Sequence, residues 1–286
     1  MPTHVQNQDI EQQERDVGLR MARIKQPVIV LSGKGGVGKS TVSVNLAAEL
    51  ARLGFRVGLL DVDIHGPSVP GMLGLNSARP FSHENAIVPV EYATNFHVMS
   101  IGFLLQQQDD AVIWRGPMKY QVIRQFLGEV EWGNLDFLII DSPPGTGDEP
   151  LSVAQFLGPA KKALVVTTPQ RVSIDDVRKS VQFCEKLEMP LLGIIENMSG
   201  FVCPHCGKTT DIFKSGGGNT LAEEKNIPLL GQIPIEPSVV ETCDDGKPVV
   251  LVEQDSITKQ VFAAIAEKVT EACDMKDFAQ PNKPAE

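Results

Sequence analysis

The run Gly33-Lys34-Gly35-Gly36-Val37-Gly38-Lys39-Ser40-Thr41 constrains the fold more than any other part of the chain. It fits the pattern Gly-x-x-x-x-Gly-Lys-Ser, a loop that wraps phosphates. Glycines let successive backbone N–H groups turn inward, where a side chain would block the approach. The following helix then points its positive end at the anion. In such a loop Lys39 neutralises the outer phosphates and the Ser40 hydroxyl ligates Mg²⁺. The loop needs a strand before it and a helix after it. The apolar run at 28–31 supplies the first. Residues 40–53 supply the second, with Leu46, Leu50 and Leu53 on one stripe and Gly54 as a stop. The expected ligand is ATP with Mg²⁺.

Further short apolar runs at 57–60, 97–101, 137–140, 163–167, 191–195 and 229–233 read as strands covered on both faces. Helices are expected between them. Residues 173–187 open with Ser173 and Asp176 in capping-box spacing. Residues 257–273 place Ile257, Val261, Ile265 and Val269 four apart. This alternation predicts an α/β fold: a doubly wound, mostly parallel sheet flanked by helices, of the P-loop NTPase kind. The chain divides into a polar N-terminal tail at 1–26, an ATPase domain at 27–275 and a C-terminal tail at 276–286 that is expected to be disordered.

Composition narrows the partners. Lys and Arg total 26 against 36 Asp and Glu, a net charge of −10. Bare nucleic acid is held by clustered basic residues, so it is not an expected partner. No apolar run is long enough to span a membrane, and 1–15 lack the apolar stretch of a secretory signal. Five cysteines in 286 residues do not suggest a disulfide framework. The expectation is a soluble, cytoplasmic protein.

Two carboxylates complete a phosphate-loop site. Asp141 ends the apolar strand at 137–140 and is expected to hold Mg²⁺ through water, next to the glycine-rich loop 142–148. Asp61 and Asp63 follow the second strand, and Asp63 is the candidate for orienting the attacking water. Asn197 and Pro234, each just after a strand, are candidates for the adenine pocket; both also suit ordinary turns.

Cys203-Pro204-His205-Cys206 sits in a stretch bounded by Gly200 and Gly207, which reads as a loop. Its spacing brings two thiolates to one metal or one cluster edge. A zinc site needs four ligands, and no second pair follows. A thioredoxin-type redox pair opens a helix, which the glycines disfavour. Two such loops meeting at a twofold axis would supply four thiolates, for zinc or for [4Fe–4S]. Spacing alone does not choose between these.

Taken together, the phosphate loop, Asp61-Val62-Asp63-Ile64-His65-Gly66-Pro67-Ser68, Trp114-Arg115-Gly116-Pro117-Met118, 141–148 and Cys203-Pro204-His205-Cys206-Gly207 resemble the Mrp/ApbC family of iron–sulfur cluster carrier ATPases, over about residues 26–270. The resemblance implies a homodimer holding a [4Fe–4S] cluster between the Cys203 and Cys206 pairs of two subunits. It also implies slow ATP hydrolysis coupled to assembly or transfer of the cluster, with scaffold proteins and apo iron–sulfur proteins as partners. The loop is of the deviant kind, in which Lys34 reaches across the dimer to the partner's nucleotide. The alternative is a positioning or partition ATPase, a nucleotide-dependent switch with structural zinc at the cysteines. Membrane-cycling members of that group end in a basic amphipathic helix. Here the end bears Glu267, Glu271, Asp274, Asp277 and Glu286. Cys184, Cys243 and Cys273 match no ligand motif of the family, and burial is expected for them.

Overall fold

The computed structural model describes residues 14–64, 66–83, 86–104, 116–203 and 205–275. His65, Trp114, Arg115, Pro204 and the tail expected at 276–286 lie outside them. In chain order the first half holds α1 (residues 14–21), β1 (Ile24–Ser32), α2 (Lys39–Arg52), β2 (Val57–Asp61), α3 (Val69–Met72), β3 (Phe81–His83), β4 (Ala86–Val88), β5 (Val90–Ala93), β6 (Phe96–Ser100) and α4 (Gly116–Gly128). The second half holds β7 (Leu135–Asp141), α5 (Asp148–Phe156), β8 (Lys162–Thr167), α6 (Arg171–Lys186), β9 (Leu191–Val202), β10 (Thr209–Thr210), α7 (Gly217–Lys225), β11 (Leu229–Ile235), α8 (Pro237–Asp244) and α9 (Ile257–Ala272).

Among the described residues one sheet runs β10-β9-β8-β1-β7-β2-β6-β5, with β11 also on β9. The pairs among β1, β2, β6, β7, β8, β9 and β11 are parallel; β5 and β10 are antiparallel additions. All seven expected strands are present. β1, β2 and β7 are almost wholly buried, since helices cover both faces. The strand order turns outward in both directions from β1, so the loop after β1 opens at the crevice where α/β sheets bind ligands. No described helix is long and apolar enough to cross a membrane.

Three local readings change. The capping box at Ser173 is absent: α6 starts at Arg171, Gln170 is its N-cap, and the buried Ser173 hydroxyl pairs with Thr168 Oγ1 at 2.6 Å. The α9 stripe holds at Ile265 and Val269 but leaves Ile257 46% exposed. Steps of four residues drift about 40° around a helix, so the first and last members face different ways. Within the polar segment before residue 27, α1 packs Val17 and Met21 into the core, Arg20 donates to the Gly128 carbonyl at 2.6 Å, and β1 already begins at Ile24.

At the opposite edge from the loop, Asp136 clamps the starts of three strands. It lies 2.9 Å from Lys25 Nζ, accepts the Arg56 backbone N–H at 2.9 Å and pairs with the Arg56 guanidinium at 3.2 Å. Burial raises its pKa, but Arg56 and Lys25 outweigh burial and hold it at about 2. A depressed carboxylate contributes stability above its unfolded pKa and loses it as pH falls through the folded one. Asp136→Asn is therefore expected to destabilise the chain by on the order of 1–2 kcal/mol at pH 7, discounted because Arg56 and Lys25 are half exposed. The gap to the parent should close between about pH 4 and pH 2. Chemical denaturation across that range measures it; a gap independent of pH would contradict the assignment.

Candidate functional site

The phosphate loop spans residues 33–38 between β1 and α2. Gly38, at φ 81°, is the N-cap of α2. A Cβ there would lie 2.1 Å from Asn197 Nδ2, and one on Gly33 would lie 2.5 Å from the Asp176 backbone carbon, so both positions demand glycine. Ser32 Oγ donates to the Lys34 carbonyl at 3.0 Å, and the Gly145 N–H donates to the Ser32 carbonyl at 2.8 Å. The 142–148 loop is thus tied to the end of β1.

Below the loop sits a buried ionic cluster. Asp141 has no exposed surface and Lys39 only 6%. Asp141 accepts from Lys39 Nζ at 2.7 Å, Ser40 Oγ at 2.6 Å and Ser43 Oγ at 2.8 Å. Lys39 Nζ is also 3.9 Å from Asp63 Oδ2. Lys39, Ser40, Asp63 and Asp141, each singled out in the sequence, therefore meet in space.

Two members had no role assigned from the sequence. Asp61 stands opposite Asp141 across the β2–β7 pair and is fully buried. It accepts from Ser100 Oγ at 2.8 Å and the Asp63 N–H at 3.0 Å. Burial, and then the charge of Asp141, push its carboxyl above the usual carboxylate range. Ser43 is the other. The available signals were an acid ending an apolar strand, for Asp61, and the i+4 spacing from Lys39, for Ser43.

The adenine candidates are neighbours. The Asn197 amide donates to the Val37 carbonyl at 2.9 Å, which commits one of its protons to the phosphate loop. Asn197 lies inside β9 and Pro234 inside β11, rather than after those strands. Pro234 falls in a register irregularity just past Ile233, the partner of Asn197. A residue without an N–H cannot continue the ladder there.

The cysteines lie in the 203–208 loop of the β9–β10 hairpin, whose Val202 pairs with Thr209. The Cys203 N–H donates to the Lys208 carbonyl at 3.0 Å and Gly207 N–H to the Cys203 carbonyl at 2.9 Å. Cys206 is exposed and Cys203 half-buried. Backbone N–H groups of His205 and Cys206, and then the Cys206 thiol, lower the pKa of Cys203. That environment suits a thiolate ligand. Among the described residues no group of three or more Cys, His, Asp or Glu could hold a metal within one chain. Cys184 and Cys273 are buried, with thiols pushed by burial to about 12 and 11; Cys243 is half-buried.

Comparison with known proteins gives a consistent picture. The family described as NUBPL iron-transfer P-loop NTPase (ParA) matches residues 23–270. An "iron-sulfur cluster carrier protein" of Methanocaldococcus jannaschii is 46% identical, covering 93% of this chain and 91% of its own length. A "cytosolic Fe-S cluster assembly factor Nubp2 homolog" of Anopheles gambiae is 50% identical, covering 87% and 97%. A solved nucleotide-binding protein of Archaeoglobus fulgidus, in complex with ADP and with cobalt found, is 40% identical, with a TM-score of 0.73 over 82% of this chain and 91% of that one. The cell division protein MinD of Aquifex aeolicus, 23% identical, shares the fold at a TM-score of 0.62 over 86% and 97%.

Proposed function

The chain belongs to the NUBPL iron-transfer P-loop NTPase family, and from that premise we propose that it is an ATP-hydrolysing iron–sulfur cluster carrier acting as a homodimer. The observation that supports this reading most directly is the cysteine hairpin. It offers two accessible thiols, one with a lowered pKa, and no further ligand among the described residues. A second copy of the same hairpin brings the thiolate count to that of a [4Fe–4S] cargo. Scaffold proteins would supply the cluster and apo iron–sulfur proteins receive it.

On this reading Gly33 to Thr41 enclose the phosphates of ATP. Lys39 would face the β/γ oxygens, Ser40 would ligate Mg²⁺ and Asp141 would hold it through water, an oxygen donor set that suits a hard cation. When bound, Mg²⁺ would neutralise charge on the phosphates. Asp63, beside Lys39, orients the attacking water. Asn197 and Pro234 border the base. Lys34 acts on the partner's nucleotide.

Metal analysis and oligomeric mass of anaerobically purified protein with ATP test the reading together. About four iron atoms per dimer are expected. Zinc without iron would favour the switch with a structural metal. A single chain that takes up neither would sink the proposal. Lys34→Ala is expected to keep ATP affinity within about threefold while turnover falls about tenfold or more, as for a finger residue acting in trans. Equal turnover in variant and parent would leave Lys34 without that role.

A further inference from the structure

β9 touches the phosphate loop through Asn197 and leads into the cysteine hairpin, and it is held at one buried carboxylate. Glu196, in β9, has no exposed surface. It accepts from Ser199 Oγ at 2.6 Å, Gln232 Nε2 at 2.8 Å, the Gly216 N–H at 2.9 Å and the Gly218 N–H. These donors belong to β9 itself, to β11 and to the start of α7, so one side chain joins three elements.

The residues that follow are unusual. Asn197 donates to the Val37 carbonyl of the phosphate loop. Met198 has φ 57°, a left-handed conformation that non-glycine residues adopt only at a cost of about 1 kcal/mol. Gly200 has φ 80°. β9 runs unbroken through these residues to Val202, next to Cys203, while its register against β11 shifts between Ile233, opposite Asn197, and Ile235, opposite Phe201. A strained stretch of strand of this kind persists where surrounding contacts over-determine it. The Glu196 hydrogen bonds supply those contacts, and none of the groups around the phosphate loop uses them.

We propose that Glu196 is a positioning residue: it locks the irregular 197–200 stretch of β9, so that the phosphate loop, touched by Asn197, and the Cys203–Cys206 pair are held by one rigid segment. What the cysteines hold rests on the cluster-carrier reading above; the lock itself does not.

The test uses the full chain under anaerobic conditions, with Co²⁺ as the probe of the thiolates. It reads thiolate-to-cobalt absorption, ATP affinity and hydrogen exchange of amides 200–210 with and without ATP. Glu196→Gln turns an amide nitrogen toward N–H donors and breaks part of the set. It is expected to keep ATP affinity within about threefold, to weaken Co²⁺ binding about three- to tenfold, less than the roughly 10- to 100-fold lost when a group bonded to a ligand itself is removed, and to speed hydrogen exchange at 200–210. Ser199→Ala and Gln232→Ala each remove one donor from the less buried side and should show smaller shifts in the same direction. Glu196→Gln with parental Co²⁺ affinity and parental hairpin exchange would overturn the proposal. If Glu196→Gln fails to fold, parental behaviour of both milder variants would overturn it instead. If the parent binds neither Co²⁺ nor iron at the cysteines while the exchange effects appear as described, the carrier reading fails and the lock stands.

Discussion

Lys39→Ala is expected to take ATP binding below detection and, separately, to destabilise the nucleotide-free protein. The first effect follows from removing the cation that faces the outer phosphates in a loop of this kind. The second follows from the cluster beneath it. Lys39 Nζ is 2.7 Å from the fully buried Asp141, and Asp61 stands on the adjacent strand. Removing one partner of a buried pair costs about 3–5 kcal/mol, because a charge is left without compensation. Asp61 moderates this. Lys39 opposes the upward push on its pKa, so without Lys39 it takes a proton more readily. The double variant Lys39→Ala/Asp141→Asn separates the two effects. It should recover most of the lost stability in thermal unfolding and none of the ATP binding in calorimetry. Parental ATP affinity in Lys39→Ala would remove the loop from the nucleotide site.

Cys203→Ala/Cys206→Ala is expected to abolish cluster uptake on anaerobic reconstitution with iron and sulfide, read as bound iron and visible absorption. ATP affinity should stay within about threefold, because the hairpin tip lies outside the core and surface changes of this kind move stability by about 0.5 kcal/mol at most. The remaining cysteines do not replace the pair: Cys243 is a lone, half-buried thiol whose pKa burial raises. Cys184 and Cys273 are buried with thiols pushed to about 12 and 11, far from the thiolate form that ligates metal. A variant that binds as much iron as the parent would place the cluster elsewhere.

The local features were legible because their physics is local. Seven parallel-sheet strands announced themselves as short apolar runs, and Gly33 to Thr41 read as a strand-to-helix phosphate loop because that conformation needs glycines in sequence. Gly207, at φ 69°, marked the cysteines as a loop for the same reason, whereas Gly200, also at positive φ, lies inside β9 and the loop begins only at Cys203. Where local signals competed with packing, packing won. Ser173 reads as an N-cap, yet the chain turned helical earlier and spent that hydroxyl on Thr168. Ile257 matched a four-residue spacing that the curvature of the helix face carries away from the core.

The sequence by itself therefore determined the fold class, the phosphate loop and the pairing of two cysteines, since each is written in residues adjacent along the chain. Only the tertiary structure decided that Asp61 and Asp141 share one buried cluster with Lys39, that the Asn197 amide rests on the Val37 carbonyl, and that Glu196 joins three elements beneath the cysteine hairpin. Those contacts depend on which strands lie side by side, and strand order is set by the packing of the whole sheet rather than by any one segment.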